Sequence, residues 1–442
     1  MREAVDPAIP SRYERGRRPR TRDERVIGEN APGVNDPTAA TTATADPATA
    51  TTADPATRRP WRRAFLVGLV VFVSSRIGLA CVTGFAWIDE YAPAQTPSRL
   101  YRWVVHYDAN WFLMIAQGGY PRTEHDAAAA FFPLYPALIR LFTPVLFGRA
   151  WLAALFVSNV ALLAALVLLY RLAEHEFGRA PAGRTIFYLV AFPTGLYLSS
   201  GYNESLFIAL MVGSVYCMRR GHWWLAGALA GLAATTRSAG LLLALAFGYE
   251  YLRQYGWRIR ANALAGGLIP LGTAAVMVVD QIYFDDPLAF SRAQSAHWGR
   301  EPNWPWVAIV DTFRSFGLRD GAHTPFGVIW AHNLLELGTV LLLLAMIGLS
   351  FVGPWRMRRD QRVLPLFGLT LIIFMMSFPS TFEKDIPYPL LSCSRIGLEV
   401  FPAFMLMGRL GHHRGMDRTF LAVFLLIQGV LISRFLHNDW VA

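Results

Sequence analysis

Long apolar runs, parted by short charged loops, fill this chain after residue 60 and decide its class. Most reach about 17–25 residues, the length that carries an α-helix across a hydrocarbon core. Backbone polar groups in lipid need partners within their own segment, so such runs fold as helices. Of all residues 54% are hydrophobic and only 16% charged, against about 25% charged in a soluble domain. The expected fold is an all-α integral membrane protein.

Net charge is +10, carried by arginine, with Lys384 the only lysine. That usage, with abundant Ala and Gly, points to a high-GC bacterial genome. The arginines fall in short loops beside the apolar runs, so the positive-inside rule explains them better than nucleic-acid binding does. No nucleic-acid partner is expected. Arg58, Arg59, Arg62 and Arg63 precede the first span, Ala64–Trp87, which places the N-terminus in the cytoplasm. Alternation from there predicts roughly eleven transmembrane helices. Every strongly basic loop then lands inside, while the long loops 88–150, 285–325 and 380–394 lie outside. The third predicted span runs to about Ser200, with a tight external turn at 201–203. Segment 131–147 is apolar but holds Pro133, Pro136, Arg140 and Pro144. It is expected to lie along the interface rather than to span.

Residues 1–60 read as a separate cytoplasmic tail. They repeat Ala-Asp-Pro-Ala-Thr at 45–49 and 53–57, and cannot bury enough apolar surface to offset ordering entropy. Disorder is expected there, with the polytopic domain over 61–442. Cys81, Cys217 and Cys393 lie far apart in or beside apolar segments, which argues against a disulfide framework or a metal site.

Four polar positions in or near the membrane stand out. Asp108 sits among aromatics in the first outer loop. A carboxylate in a partly apolar pocket can serve as a general base, and a solvated loop acid is the plainer alternative. Glu204 begins an apolar helix, where an N-terminal charge–dipole role is the simpler account. Arg237 interrupts an apolar hairpin. It either snorkels or grips a lipid phosphate in fork geometry. Arg395 opens the tenth span, and the same two readings apply. No phosphate-binding loop, dinucleotide fingerprint or His-Glu-x-x-His motif is present.

Several motifs together resemble the PIG-V-like mannosyltransferases, membrane glycosyltransferases of the GT-C class. The carriers are His106-Tyr107-Asp108-Ala109-Asn110-Trp111, Gly118-Gly119-Tyr120, Phe131-Phe132-Pro133-Leu134-Tyr135-Pro136, Pro193, Ser200–Phe207, Arg237-Ser238-Ala239-Gly240, and Arg395 before Phe401-Pro402. Ala239 stands where eukaryotic relatives carry Asn. The resemblance implies a GT-C helical bundle whose long first outer loop carries interfacial helices. It implies a polyprenyl-phosphate sugar donor, mannose first with arabinose or glucose as alternatives, and a lipid or cell-envelope glycan acceptor. Asp108 would be the catalytic base, and Arg237 and Arg395 would bind the donor phosphate. His106, Tyr107, Trp111 and Tyr135 would contact substrate, with Asn203 and Glu204 orienting acceptor hydroxyls. No cofactor is implied; the external acids are numerous enough to hold a cation, but no ligand spacing argues for a metal. The chain would be a multi-pass plasma-membrane protein with membrane lipids around it and its site on the extracytoplasmic face. The alternative class is a polytopic transporter or lipid flippase, against which stand the lack of an internal repeat after residue 60 and the gathering of polar candidates toward one face.

Overall fold

Backbone hydrogen bonding is almost entirely helical, as lipid requires. A computed structural model describes residues 55–88, 106–121, 126–316, 326–380, 388–437 and 439–441. The predicted disordered tail lies outside the described residues, except for its last six positions, which open the first helix. In chain order the helices are α1 (Pro55–Ile88), α2 (Asp108–Gly118), α3 (Leu134–Phe142), α4 (Ala150–Phe177), α5 (Arg179–Ala191), α6 (Glu204–Arg219), α7 (Trp223–Ala234) and α8 (Leu243–Tyr255). They continue with α9 (Leu268–Phe284), α10 (Ala289–Trp298), α11 (Pro305–Ser315), α12 (Phe326–Leu349), α13 (Val363–Met376), α14 (Cys393–Ile396), α15 (Phe401–Leu410) and α16 (Arg414–Leu436).

Each apolar segment read as a span carries a helix. Five helical segments are long and apolar enough to cross a membrane by length and composition, at 60–85, 150–177, 261–284, 330–349 and 414–436. The others are shorter because prolines and turns cut them. The third predicted span breaks after α5. Pro193 disfavours helical geometry at Phe192, which is extended at φ −56°, ψ 146°, and a 3₁₀ turn follows at Gly195–Leu198. The tenth breaks at Val400, ahead of Pro402 near the start of α15. Segment 131–147 holds α3, whose nine residues rise only about 14 Å, too little to span.

Helix α4 packs against α1, α5 and α6, and the bundle continues through α6–α7, α7–α9 and α5–α15. A buried apolar core runs through it, including Leu162, Leu166, Phe207, Met211, Phe404 and Leu406. A second cluster joins α2 and α3 to the end of α16 through Phe112, Tyr135, Ile139, Tyr202 and Phe435. Between α7 and α9, with the 3₁₀ segment Ala261–Gly267 that leads into it, the contact is backbone to backbone. A Cβ on Gly272 would lie 2.1 Å from the Gly231 carbonyl oxygen, and one on Gly227 would lie 2.1 Å from that of Ala265. Small residues four apart allow such approach, which gains dispersion contact where lipid gives no hydrophobic drive.

The basic loops predicted to share one side do meet at one end of the bundle. Arg219 at the foot of α6 pairs with Glu176 of α4 at 2.7 Å and Glu250 of α8 at 3.1 Å. It also reaches Asp360, before α13, at 3.5 Å. Arg409 of α15 donates to the Trp355 carbonyl at 2.9 Å. The predicted outer segments meet at the opposite end of α6, whose 16 residues set the two ends about 24 Å apart.

Gly272→Val should force α7 and α9 apart and cost about 1–3 kcal/mol or more through overpacking. Thermal unfolding in detergent is expected to show a clearly lowered midpoint, while Gly429→Ala, where nothing lies within 4 Å, should melt like wild type.

Candidate functional site

At the end of α6 opposite Arg219, five charged side chains from separate parts of the chain form one ion-pair series. Arg395 Nη2 lies 2.7 Å from Asp108 Oδ2, and its Nε lies 3.1 Å from Glu204 Oε1. The same Glu204 oxygen accepts from Arg237 Nη1 at 3.0 Å. Arg237 Nε lies 3.0 Å from Glu399 Oε1. Glu204 and Glu399 are each 1% exposed, so these carboxylates have guanidinium in place of water. A carboxylate removed from water at this cost persists only with such partners.

Broken helices bring these residues together. Asp108 opens α2 directly after Tyr107, whose φ is +46°. Arg395 lies three residues after Ser392, at φ +64°. Left-handed backbone at two non-glycine residues stores strain, and such strain collects at functional sites. Glu204 starts α6 after the turn at Gly201–Asn203. Arg237 is extended, at φ −154°, ψ 148°, in the link between α7 and α8. Asn203 joins these two breaks: its Nδ2 donates to the Thr236 carbonyl at 3.1 Å, and its Oδ1 accepts from Arg237 at 3.2 Å. Ser394 is held from two directions, since its hydroxyl donates to Glu336 of α12 at 3.0 Å and its carbonyl accepts from Thr194 at 2.8 Å. Arg395 therefore leaves a fixed backbone. Tyr197 and Tyr202 flank its guanidinium, with ring centroids at 5.3 and 5.5 Å, which favours a desolvated cation.

Two cavities converge on Asp108. The larger, about 1710 Å³, runs between α12 and α16. Its walls are apolar, with Leu335, Leu342, Phe424 and Leu431, and its polar end holds His106, Tyr107, Trp111 and Arg434. The smaller, about 370 Å³, holds Asn203, Arg237, Arg300, Arg395 and Glu399, with Leu371, Phe374 and Phe378 beyond. Asp108, Trp298, Leu391 and Trp440 line both.

Most residues expected at the site therefore meet there. His106, Tyr107 and Trp111 line the larger cavity, and Asn203, Arg237 and Arg395 the smaller. Glu204 does more than face a helix dipole, since it holds two guanidiniums. Tyr135 stands one layer behind. It is fully buried, and its hydroxyl shares a 2.7 Å hydrogen bond with Ser158, which donates to the Tyr202 carbonyl. Glu336, Glu399 and Arg300 join the site without having been singled out from sequence. Two of them carried a signal, because an acid inside an apolar run is a functional candidate by default. Arg300 carried none, being one arginine of a long loop.

Residues 88–257 match the family model described as Mannosyltransferase (PIG-V), the family whose motifs the sequence resembles. The chain is 34% identical to "GPI alpha-1,6-mannosyltransferase 2" of Rattus norvegicus over 155 residues, 32% of this chain and 30% of that one. It is 35% identical to "GPI mannosyltransferase 2" of Yarrowia lipolytica over 98 residues, 22% of this chain and 28% of that one. The chain thus matches 28–30% of the length of these curated relatives. Among solved structures it is similar to ArnT from Cupriavidus metallidurans bound to undecaprenyl phosphate, with TM-score 0.48, 15% identity, and 82% of this chain against 63% of that one. It is also similar to the Archaeoglobus fulgidus oligosaccharyltransferase in its apo form, with TM-score 0.44, 12% identity, and 85% of this chain against 56% of that one. Asp108, Glu204 and Arg237 fall inside the matched region, while Arg300, Arg395 and Glu399 lie beyond it.

Glu204→Ala should strand two guanidiniums at once. Removing one member of a buried ion pair costs about 3–5 kcal/mol, so a steep loss of thermal stability in detergent is expected, with Glu204→Gln affected less. A Glu204→Ala protein that melts like wild type would show that the series does not hold the fold.

Proposed function

We propose that the chain is a GT-C membrane glycosyltransferase that moves mannose from a polyprenyl-phosphate donor to an acceptor hydroxyl on the extracytoplasmic face. The observation that carries this reading is Asp108 at the meeting of two cavities, paired to Arg395 at 2.7 Å. One cavity is long and apolar enough for a lipid. The other carries guanidiniums suited to a phosphate.

In the proposed reaction the acceptor oxygen attacks the anomeric carbon while the bond from that carbon to the phosphate oxygen breaks. The phosphate leaves with the bonding electron pair, and the acceptor proton passes to the Asp108 carboxylate. Attack opposite the leaving group inverts the anomeric centre. Negative charge grows on the phosphate as it departs, and preorganised positive groups in a dry site lower the energy of that charge. The guanidiniums that line the smaller cavity, with Arg395 and Arg237 the ones expected from sequence, would supply such a field beside Asp108. His106, Tyr107 and Trp111 would bear on the substrate in the larger cavity, and Asn203 on the one in the smaller. Glu204 orients the arginines before any hydroxyl, since it already holds both. The acceptor is read as lipid-linked, because the larger cavity offers an apolar course between α12 and α16 down to the carboxylate.

The test is transfer of labelled mannose from polyprenyl-phosphate-mannose in membranes holding wild type or Asp108→Asn. Loss of general-base action costs about 10²–10⁴-fold, so the variant should lose at least about a hundredfold in rate while still inserting and folding, with a lowered melting midpoint from the lost pairing to Arg395. Transfer at the wild-type rate would remove Asp108 as the base. A wild type that transfers no lipid-linked sugar would turn the reading toward a transporter or flippase.

A further inference from the structure

The two arginines that sequence points to are already engaged with carboxylates, with only Nε and Nη1 of Arg395 lacking a hydrogen bond among their buried nitrogens. Arg395 and Arg237 face three carboxylates, Asp108, Glu204 and Glu399, within 3.1 Å. Much of their charge is therefore taken up by carboxylate oxygens before a phosphate arrives. Arg300 is held differently. It lines the same cavity and, among the described residues, forms no ion pair with a carboxylate. Its Nη2 donates to the Leu391 carbonyl at 3.0 Å. A backbone carbonyl carries no net charge to offset a guanidinium.

The local backbone is built to hold it. Arg300 forms an antiparallel bridge with Ser380, and Ser380 Oγ donates to the Trp298 carbonyl at 2.7 Å. Asn303 N donates to the Ser377 carbonyl at 2.8 Å. Burial is the main cause that lowers the proton affinity of the Arg300 guanidinium; Arg395 and Arg237 push the same way, and Cys393 and Asp108 push against it. A cation kept half-buried beside two others is costly, and an anion bound there relieves that cost.

We propose that Arg300 is the direct phosphate contact of the smaller cavity, and that Arg237 and Arg395 act there chiefly by neutralising and placing the carboxylates. The ligand class is a phosphate ester bearing a lipid chain, its tail directed along Leu371, Phe374 and Phe378 of the α13 end. The phosphate's role as leaving group rests on the transferase reading. Its binding at Arg300 does not.

The experiment uses the purified full chain in detergent with undecaprenyl phosphate and uncharged undecaprenol as probes. Wild type should bind the phosphate more tightly. A hydrogen bond to a charged group supports a preference of about ten- to a hundredfold, which Arg300→Gln should abolish and Arg300→Lys keep in part. Arg314→Gln, at an exposed position, should leave it unchanged. A second readout needs no variant: undecaprenyl phosphate, and not undecaprenol, should shield Arg300 from an arginine-specific dicarbonyl reagent, read by peptide mass. An Arg300→Gln protein that keeps the preference, or Arg300 labelled equally with either probe, overturns the proposal. Phosphate preference and shielding without any sugar transfer would uphold Arg300 and sink the transferase reading. Intact transfer with a preference indifferent to Arg300 would do the reverse.

Discussion

Glu204 is the constraint on which the site of this protein rests. One buried oxygen serves Arg395 from the C-terminal third and Arg237 from the α7–α8 link. Through those arginines it fixes Asp108 and Glu399. In low dielectric such a series is an all-or-none object: complete, it is tolerated, and with one member missing it leaves an uncompensated charge. Stability alone favours an apolar replacement for a buried ion pair. Its presence at the junction of two cavities suits a role in placing charge where chemistry needs it.

The two ends of the bundle use ion pairs differently. Around Arg219, guanidinium meets Glu176 and Glu250, both fully buried in their side chains, and the group ties α4, α6 and α8 together. There the partners close on each other. At the other end the arginines line open space, and their partners leave a cation and a strained backbone beside it. The same residue types thus make a clamp at one end and a receptive surface at the other, and cavity geometry separates the two cases.

Much of this architecture was legible in the chain. Apolar run length placed the helices, and the arginine-rich loops placed their common end, because both signals are local in sequence. Asp108 stood out as an acid among interfacial aromatics. Glu204 was harder, since an acid at a helix start has an ordinary dipole explanation and its true partners lie 33 and 191 positions away. Pro193 held the local reason for the break after α5, and a run-length reading passes over it. Arg300 was illegible. Its significance comes from Leu391 and Ser380, positions that no periodicity links to it.

The broken segments around the site are tied by side chains rather than by a helical ladder. Thr194 reaches the Ser394 carbonyl across 200 positions, and Gln428 caps the Val190 and Phe192 carbonyls across more than 230. Loop closure over such separations must precede any gain from the contact. During synthesis the helical pairs α4–α6 and α6–α7 can form early, from neighbours in sequence. The backbone carbonyls left by the break at Pro193 must wait for α16 to arrive. The ion-pair series can therefore be completed only late in synthesis, and a ribosome stalled before α14 would hold Glu204 and Arg237 without Arg395 and Glu399.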